Sequence, residues 1–254
     1  MGTHRGQGKG GYKLNPDENK ILNTLYKKII SLVYGRIKGY GFCKKGVHLY
    51  RLRNDILQGF YFQKISGNGF FRVSTYIRPV FWHRQDDGVL LSTLELGKFV
   101  KGSCYYDINQ KYEEVSNQVS LIIIEKVLPY FEECGSPHAI LKNLEKLLKL
   151  EKDFTLRGIK QLDFQDLILF CVLKEKNSNI SKEYLKRKVE CLMKDDRKAD
   201  WLTRDRKIFN QLLQLANQNK FSEVELRLET FKQDFLKENP FYKKSLKAEK
   251  ETID

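Results

Sequence analysis

The sequence has no apolar run long enough to cross a bilayer. Its longest, "VSLIIIEKVLPYF", is interrupted by Glu125 and Lys126, and a spanning helix needs about 20 apolar residues. The N-terminus also lacks the apolar segment of a secretory signal. The expectation is a cytoplasmic protein that does not enter membranes. Cysteine is sparse: Cys43, Cys104, Cys134, Cys171 and Cys191 are odd in number and scattered, with no C-x-x-C pair and no nearby His at zinc spacing. That pattern excludes a disulfide framework and fits a reducing compartment.

Catalytic signatures are missing as well. There is no G-x-S-x-G, no H-E-x-x-H and no P-loop ending in G-K-[ST]. Gly6, Gly8 and Gly11 have G-x-G-x-x-G spacing, but a dinucleotide fingerprint needs a strand before it, and none fits in five residues. Histidine occurs four times, at His4, His48, His83 and His138. His83 with Asp86 and Asp87 is the nearest approach to a metal cluster, yet its spacing matches no defined site. Cys43 precedes Lys44 and Lys45, which would favour a thiolate; an idle cysteine at the start of a strand is the plainer reading. Glu132 and Glu133 are adjacent on a helix and so diverge. The expectation is a protein without catalytic residues, cofactor or metal.

What is present is positive charge on a globular background. The 254 residues are 41% hydrophobic and 31% charged, a balance typical of folded, soluble chains. Lys and Arg number 46 against 32 Asp and Glu, a formal charge of +14 with a pI near 9.4. Such an excess favours nucleic acid, anionic lipid or an acidic protein as partner, or serves solubility alone.

Periodicity divides the chain in three. Residues 1–14 form a Gly-rich basic tail. Residues 15–157 form an α+β domain, and residues 158–254 a helical extension. Asn15, Pro16 and Glu18 signal a helix start, and Leu22, Leu25, Tyr26, Ile29 and Val33 give an apolar stripe that ends at Gly39 and Gly41. From Val47 to Trp82 the period is two, with turn compositions "RND" and "SGNG", which predicts an antiparallel meander of three strands. Leu90 to Lys101 has a helical composition. A second long helix is expected over Val115–Phe131, with Pro129 near its end, followed by helices to the C-terminus. Ser222 and Glu225 have capping-box spacing for the last of them.

Alternation along "FFRVSTYIRPVFW" sets Phe71, Val73, Thr75 and Ile77 on one face and Arg72, Ser74, Tyr76 and Arg78 on the other. With Tyr61 and Gln63, and with Arg51 and Arg53 assigned to the same side, the second face reads as a basic and aromatic contact surface. It suits an acidic protein partner, since Arg and Tyr are favoured contact residues. RNA or another single strand is the alternative, with rings for bases and guanidinium groups for phosphates. Solvent or the C-terminal helices would equally cover such a face.

The stretch "GYGFCKKGVHLYRLRNDILQGFYFQKIS", followed by "FFRVSTYI", resembles the bacterial family catalogued as domain of unknown function 4304. Gly41, Phe42, Lys44, Lys45, Gly46, Tyr50 and Arg51 match its first block. Gln58, Phe62, Gln63 and Lys64 match the second, and Phe71, Val73 and Ile77 the third. Ile65 stands where the family usually has Ser. The resemblance covers about Asn15–Leu150 and implies an α+β domain in a bacterial cytoplasm, without an established activity. The combined expectation is a noncatalytic binding module for a protein partner, in a bacterial immunity or defence setting.

Overall fold

The computed structural model describes residues 15–65, 69–82, 94–100, 105–143, 161–176 and 178–243. The basic tail, the His83, Asp86 and Asp87 loop, Cys104 and the boundary at 157–158 lie outside them. Helix α1, Pro16–Ile37, starts as its sequence dictates. The Asn15 side chain accepts the Glu18 N–H at 2.9 Å and the Glu18 carboxylate accepts the Asn15 N–H at 3.1 Å, which satisfies two otherwise orphaned donors. After a single 3₁₀ turn, Lys38–Tyr40, Gly41 takes φ +80° and turns the chain into the sheet.

The sheet is antiparallel throughout. It runs in the order β1 (Cys43–Lys45), β2 (His48–Arg53), β3 (Ile56–Lys64), β4 (Phe70–Pro79) and β5 (Leu94–Glu95), with β6 (Tyr106–Asp107) also paired to β4. The three central strands are those the period of two predicts. Asn54 and Asp55, at φ 46° and 67°, form the two-residue turn between β2 and β3, the left-handed geometry that matches strand twist. The helical reading of Leu90–Lys101 is corrected over its described part, residues 94–100: Leu94 and Glu95 pair with Thr75 and Ser74, and a 3₁₀ turn, Leu96–Phe99, follows. The ten-residue β4 outruns local helix propensity there, because its outer N–H and C=O groups require partners.

Helical structure continues from α2 (Tyr112–Ile122) through a π turn, Ile123–Val127, into α3 (Leu128–Glu133). In the π turn the Leu128 N–H reaches back to the Ile123 carbonyl, and Pro129 next in sequence has no N–H with which to resume the regular ladder. Then come α4 (Pro137–Lys142), α5 (Gln161–Lys174), α6 (Ser178–Lys194), α7 (Asp200–Asn217) and α8 (Phe221–Glu238), closed by a 3₁₀ turn, Pro240–Tyr242. No strand follows Gly158 among the described residues, and the fold is α+β with a helical C-terminal part.

One feature of this part departs from expectation. Helix α8 begins at Phe221 with Lys220 as N-cap and no side-chain cap, so Ser222 lies inside the first turn rather than before it. The reason is the preceding link: Asn219 at φ 58° ends α7 and the Lys220 N–H bonds the Leu215 carbonyl at 2.9 Å, which leaves the next helix no room for a longer approach. Among the described residues no helix is long and apolar enough to cross a membrane.

One continuous core joins the sheet to the helices. Leu22, Tyr26, Ile29, Ile30 and Val33 of α1 and Val115, Val119, Ile123 and Val127 of the second helical run cover Leu49, Phe60, Phe62, Phe71, Val73 and Ile77. Phe81 carries this core from the end of β4 to Phe170 of α5 at 6.4 Å between ring centres, and Phe170 to Phe209 of α7 at 6.1 Å. A second core lies on the opposite sheet face, where Phe235, Leu236 and Tyr242 meet Tyr50, Leu52, Leu57, Tyr76 and Val80.

Candidate binding surface

The expected contact residues do not share one face. Directly paired residues in an antiparallel ladder point the same way, and the register pairs Arg51 with Gln58, which pairs in turn with Ile77. Arg51 and Arg53 therefore project on the α1 side. Tyr61, Gln63, Arg72, Tyr76 and Arg78 project on the other, with Tyr61 opposite Ser74 and Gln63 opposite Arg72. The assignment of Arg51 and Arg53 to the second face is corrected by the parity of a two-residue turn, which preserves alternation across the hairpin.

Burial divides the second face again. Tyr76 and Arg78 are 0% and 1% exposed. The Arg78 guanidinium lies 4.5 Å from the Phe235 ring centre and 5.2 Å from that of Trp82, a cation held against aromatic faces. Tyr50 donates its hydroxyl hydrogen to the Phe241 carbonyl at 3.0 Å and packs edge-on to Tyr242 at 4.8 Å. Helix α8 and the turn after it thus cover this end of the sheet.

Arg51 is 6% exposed and anchors a polar network. Its Nε donates to Gln58 Oε1 at 2.8 Å, Nη1 to the Tyr40 carbonyl at 3.2 Å and Nη2 to Glu132 Oε1 at 2.8 Å. Arg53 donates to the other Glu132 oxygen. Gln58 Nε2 serves the carbonyls of Phe131 and, at 3.3 Å, Cys134; Asn54 Nδ2 serves that of Gly135 at 3.1 Å. These carbonyls lie at and just beyond the end of α3, where the helical ladder runs out, and that of Phe131 also accepts the Cys134 N–H at 3.2 Å. Glu132 is thus an ion-pair partner, and Arg51 and Gln58 hold the hairpin to the α3 terminus.

What remains partly open on the second face is a patch of His48, Tyr61, Gln63, Arg72 and Ser74, all half-buried. His48 stacks on Tyr61 at 4.8 Å between ring centres, and Arg72 Nε donates to Gln63 Oε1 at 2.7 Å. His48 is the member that alternation alone did not select; its pairing with Tyr61 across β2 and β3 identifies it. Lys45, at the rim on β1, stands 3.0 Å from the Phe241 ring centre. The patch offers planar groups and donors fixed to a rigid sheet.

Elsewhere, a cavity of about 300 Å³ opens beside Phe70, Tyr105, Asp107, Gln110 and Gln118. Asp107 accepts the Asn109 backbone N–H at 2.8 Å, so its carboxylate is engaged in a turn and the lining is chiefly rings and amides. Burial pushes the Cys171 thiol well above its usual range, the opposite of what a nucleophile requires. Among the described residues no group of three or more His, Cys, Asp or Glu side chains is gathered to hold a metal ion. Comparison with family models, with curated proteins and with solved structures finds no match for this chain.

Proposed function

We propose that this protein is a noncatalytic binding module and that the patch of His48, Tyr61, Gln63 and Arg72 receives an acidic protein surface. The observation that carries the reading is the rigid, cross-strand arrangement of these side chains, with Tyr61 stacked at 4.8 Å and Arg72 oriented by Gln63 at 2.7 Å. Preorganised Tyr and Arg lose little side-chain freedom on contact and are the usual anchors of protein interfaces. The excess of positive charge would steer an acidic partner to it.

Arg72→Glu and Tyr61→Ala test this. The chain is used to isolate partners from its native cell, and affinity for any acidic protein retained is then measured with purified components. The expected result is loss of that affinity in both variants at unchanged melting temperature, with a weaker salt dependence in the Arg72 variant. Equal affinity in wild type and both variants overturns the assignment of the patch.

A further inference from the structure

The chain's charge is unevenly placed. Between Asn19 and Gln85 the sequence holds thirteen Lys and Arg against one acid, Asp55, so this quarter of the protein carries +12 of the total +14. Many cations of the helical part are neutralised in place: Lys188 by Asp166 at 2.5 Å, Lys176 by Glu225 at 2.8 Å, Arg197 by Asp195 at 2.5 Å and Lys220 by Glu223 at 3.3 Å. The outer side of α1 differs. Lys20, Lys27 and Lys38 follow at intervals of seven and eleven residues, which return to nearly the same side of a helix with 3.6 residues per turn, and all three are exposed.

Two strand lysines join this row from the side. Lys64, at the end of β3, donates to Asn19 and Asn23 at 3.0 and 2.7 Å, and Lys44 of β1 donates to Ser31 at 2.7 Å. Along the helix the order is Lys20 and Lys64, then Lys27, Lys44 and Lys38, over about 27 Å at 1.5 Å rise per residue. None of the five ammonium groups is ion-paired with a carboxylate among the described residues. Gathering five like charges on one side of a helix is unfavourable unless an anion offsets it.

We infer that this row is a docking track for the sugar–phosphate backbone of a nucleic acid. The alternatives fit less well on physical grounds. Lysine is depleted from the centres of protein interfaces, which are built on aromatic residues and Arg. A lipid surface would want an apolar side facing the same way as the cations, whereas the side chains nearest the row are Asn23, Thr24, Ser31 and the half-buried Tyr34, and the exposed Ile21 stands about 100° round the helix from Lys20. Flexible point charges interleaved with Asn, Thr and Ser are the side chains that contact phosphate without reading sequence. The track lies on the α1 side of the sheet, opposite the Tyr61 patch, and it stands or falls separately from the protein-partner reading.

Counterion release makes the test quantitative. Five phosphate contacts on a single strand give a slope of log K against log salt of about −3.5, since each contact contributes about −0.7. Binding of the full chain to a fluorescent oligothymidylate of about 20 nucleotides is measured by anisotropy across a salt series. Replacing Lys20, Lys27 and Lys38 together by Gln is expected to bring the slope to about −1.4. The matched triple replacement of Lys186, Lys207 and Lys237, exposed lysines of α6, α7 and α8, is expected to leave it unchanged. Equal slopes for the two triple variants overturn the proposal, as does row-dependent binding that is tighter to phosphatidylserine vesicles or to an acidic polypeptide than to the oligonucleotide. If the row triple variant melts early, Lys27→Gln alone replaces it, and a slope change well short of about 0.7 overturns the track.

Discussion

Gly59 sits in β3 where a side chain has no room. A Cβ there would run into the Tyr76 ring and come within 2.7 Å of the Leu49 carbonyl, which belongs to the paired strand and cannot swing aside. Gly59→Ala is expected to destabilise the fold by about 2–3 kcal/mol, the scale of an overpacked core; urea unfolding checks it, and a much smaller loss would mean that strand and ring shift freely. Gln58 is critical for a different reason. It holds Arg51 on one side and two helix-end carbonyls on the other, so Gln58→Leu takes one of several hydrogen-bond partners from a buried guanidinium and the side-chain donor from two carbonyls. About 2–4 kcal/mol is expected, against less than about 1 kcal/mol for the exposed Arg53→Ala, both read from the same denaturation series.

Tyr50 gives the molecule a pH dependence. Burial pushes its phenol up to about 12, with smaller contributions from Cys43 and Tyr34. The folded state therefore holds the proton more firmly than the unfolded chain, whose tyrosines ionise near about 10. The resulting stability is complete below that value and is lost as pH rises through the folded one. Urea midpoints are expected to fall between about pH 10 and pH 12, and to fall less steeply in Tyr50→Phe. Tyr26, also pushed up by burial, keeps part of the slope in that variant.

At the scale of elements, local chemistry decides the starts and turns. The reciprocal Asn15 and Glu18 hydrogen bonds predict that Asn15→Ala weakens the fold by about 1 kcal/mol, with the loss seen in the melting temperature and in amide exchange of the first turn of α1. The hairpin turn is tied more widely. Asp55 receives Lys232 of α8 at 2.7 Å and Lys174 of α5 at 3.8 Å, while the Val80 N–H bonds its carbonyl at 2.9 Å. A two-residue turn thereby becomes the place where the sheet, α5 and α8 meet.

For the whole molecule, the position of α8 decides what the sheet can present. Phe235 is fully buried against Arg78 and stacks on Tyr242 at 5.2 Å. Phe235→Ala removes the centre of the second core and is expected to cost about 3–5 kcal/mol. Urea unfolding measures the cost, and a loss below about 1 kcal/mol would show that α8 is not the cover this packing makes it. Because α8 stays in place, the accessible part of that face, among the described residues, is the His48, Tyr61, Gln63, Arg72 and Ser74 patch with Lys45 and Phe70 at its edges.

The α+β class, the first helix with its cap, the three central strands, the Asn54–Asp55 turn and the run of C-terminal helices were legible in the residues. Each rests on interactions within a few positions: a cap reaching three residues, a turn of two, an apolar stripe of fixed period. The short strands β5 and β6 were not, since two residues owe their conformation to the edge of β4 rather than to their own composition. Nor was the fate of Tyr76 and Arg78, whose alternation names a face but not what lies over it. Phe235 and Tyr242, more than 150 positions later in the sequence, bury them because rings and guanidinium stems exclude water only when brought together. Alternation is a property of the strand, whereas burial is a property of the pair of surfaces that meet, and that meeting was decided by the tertiary structure.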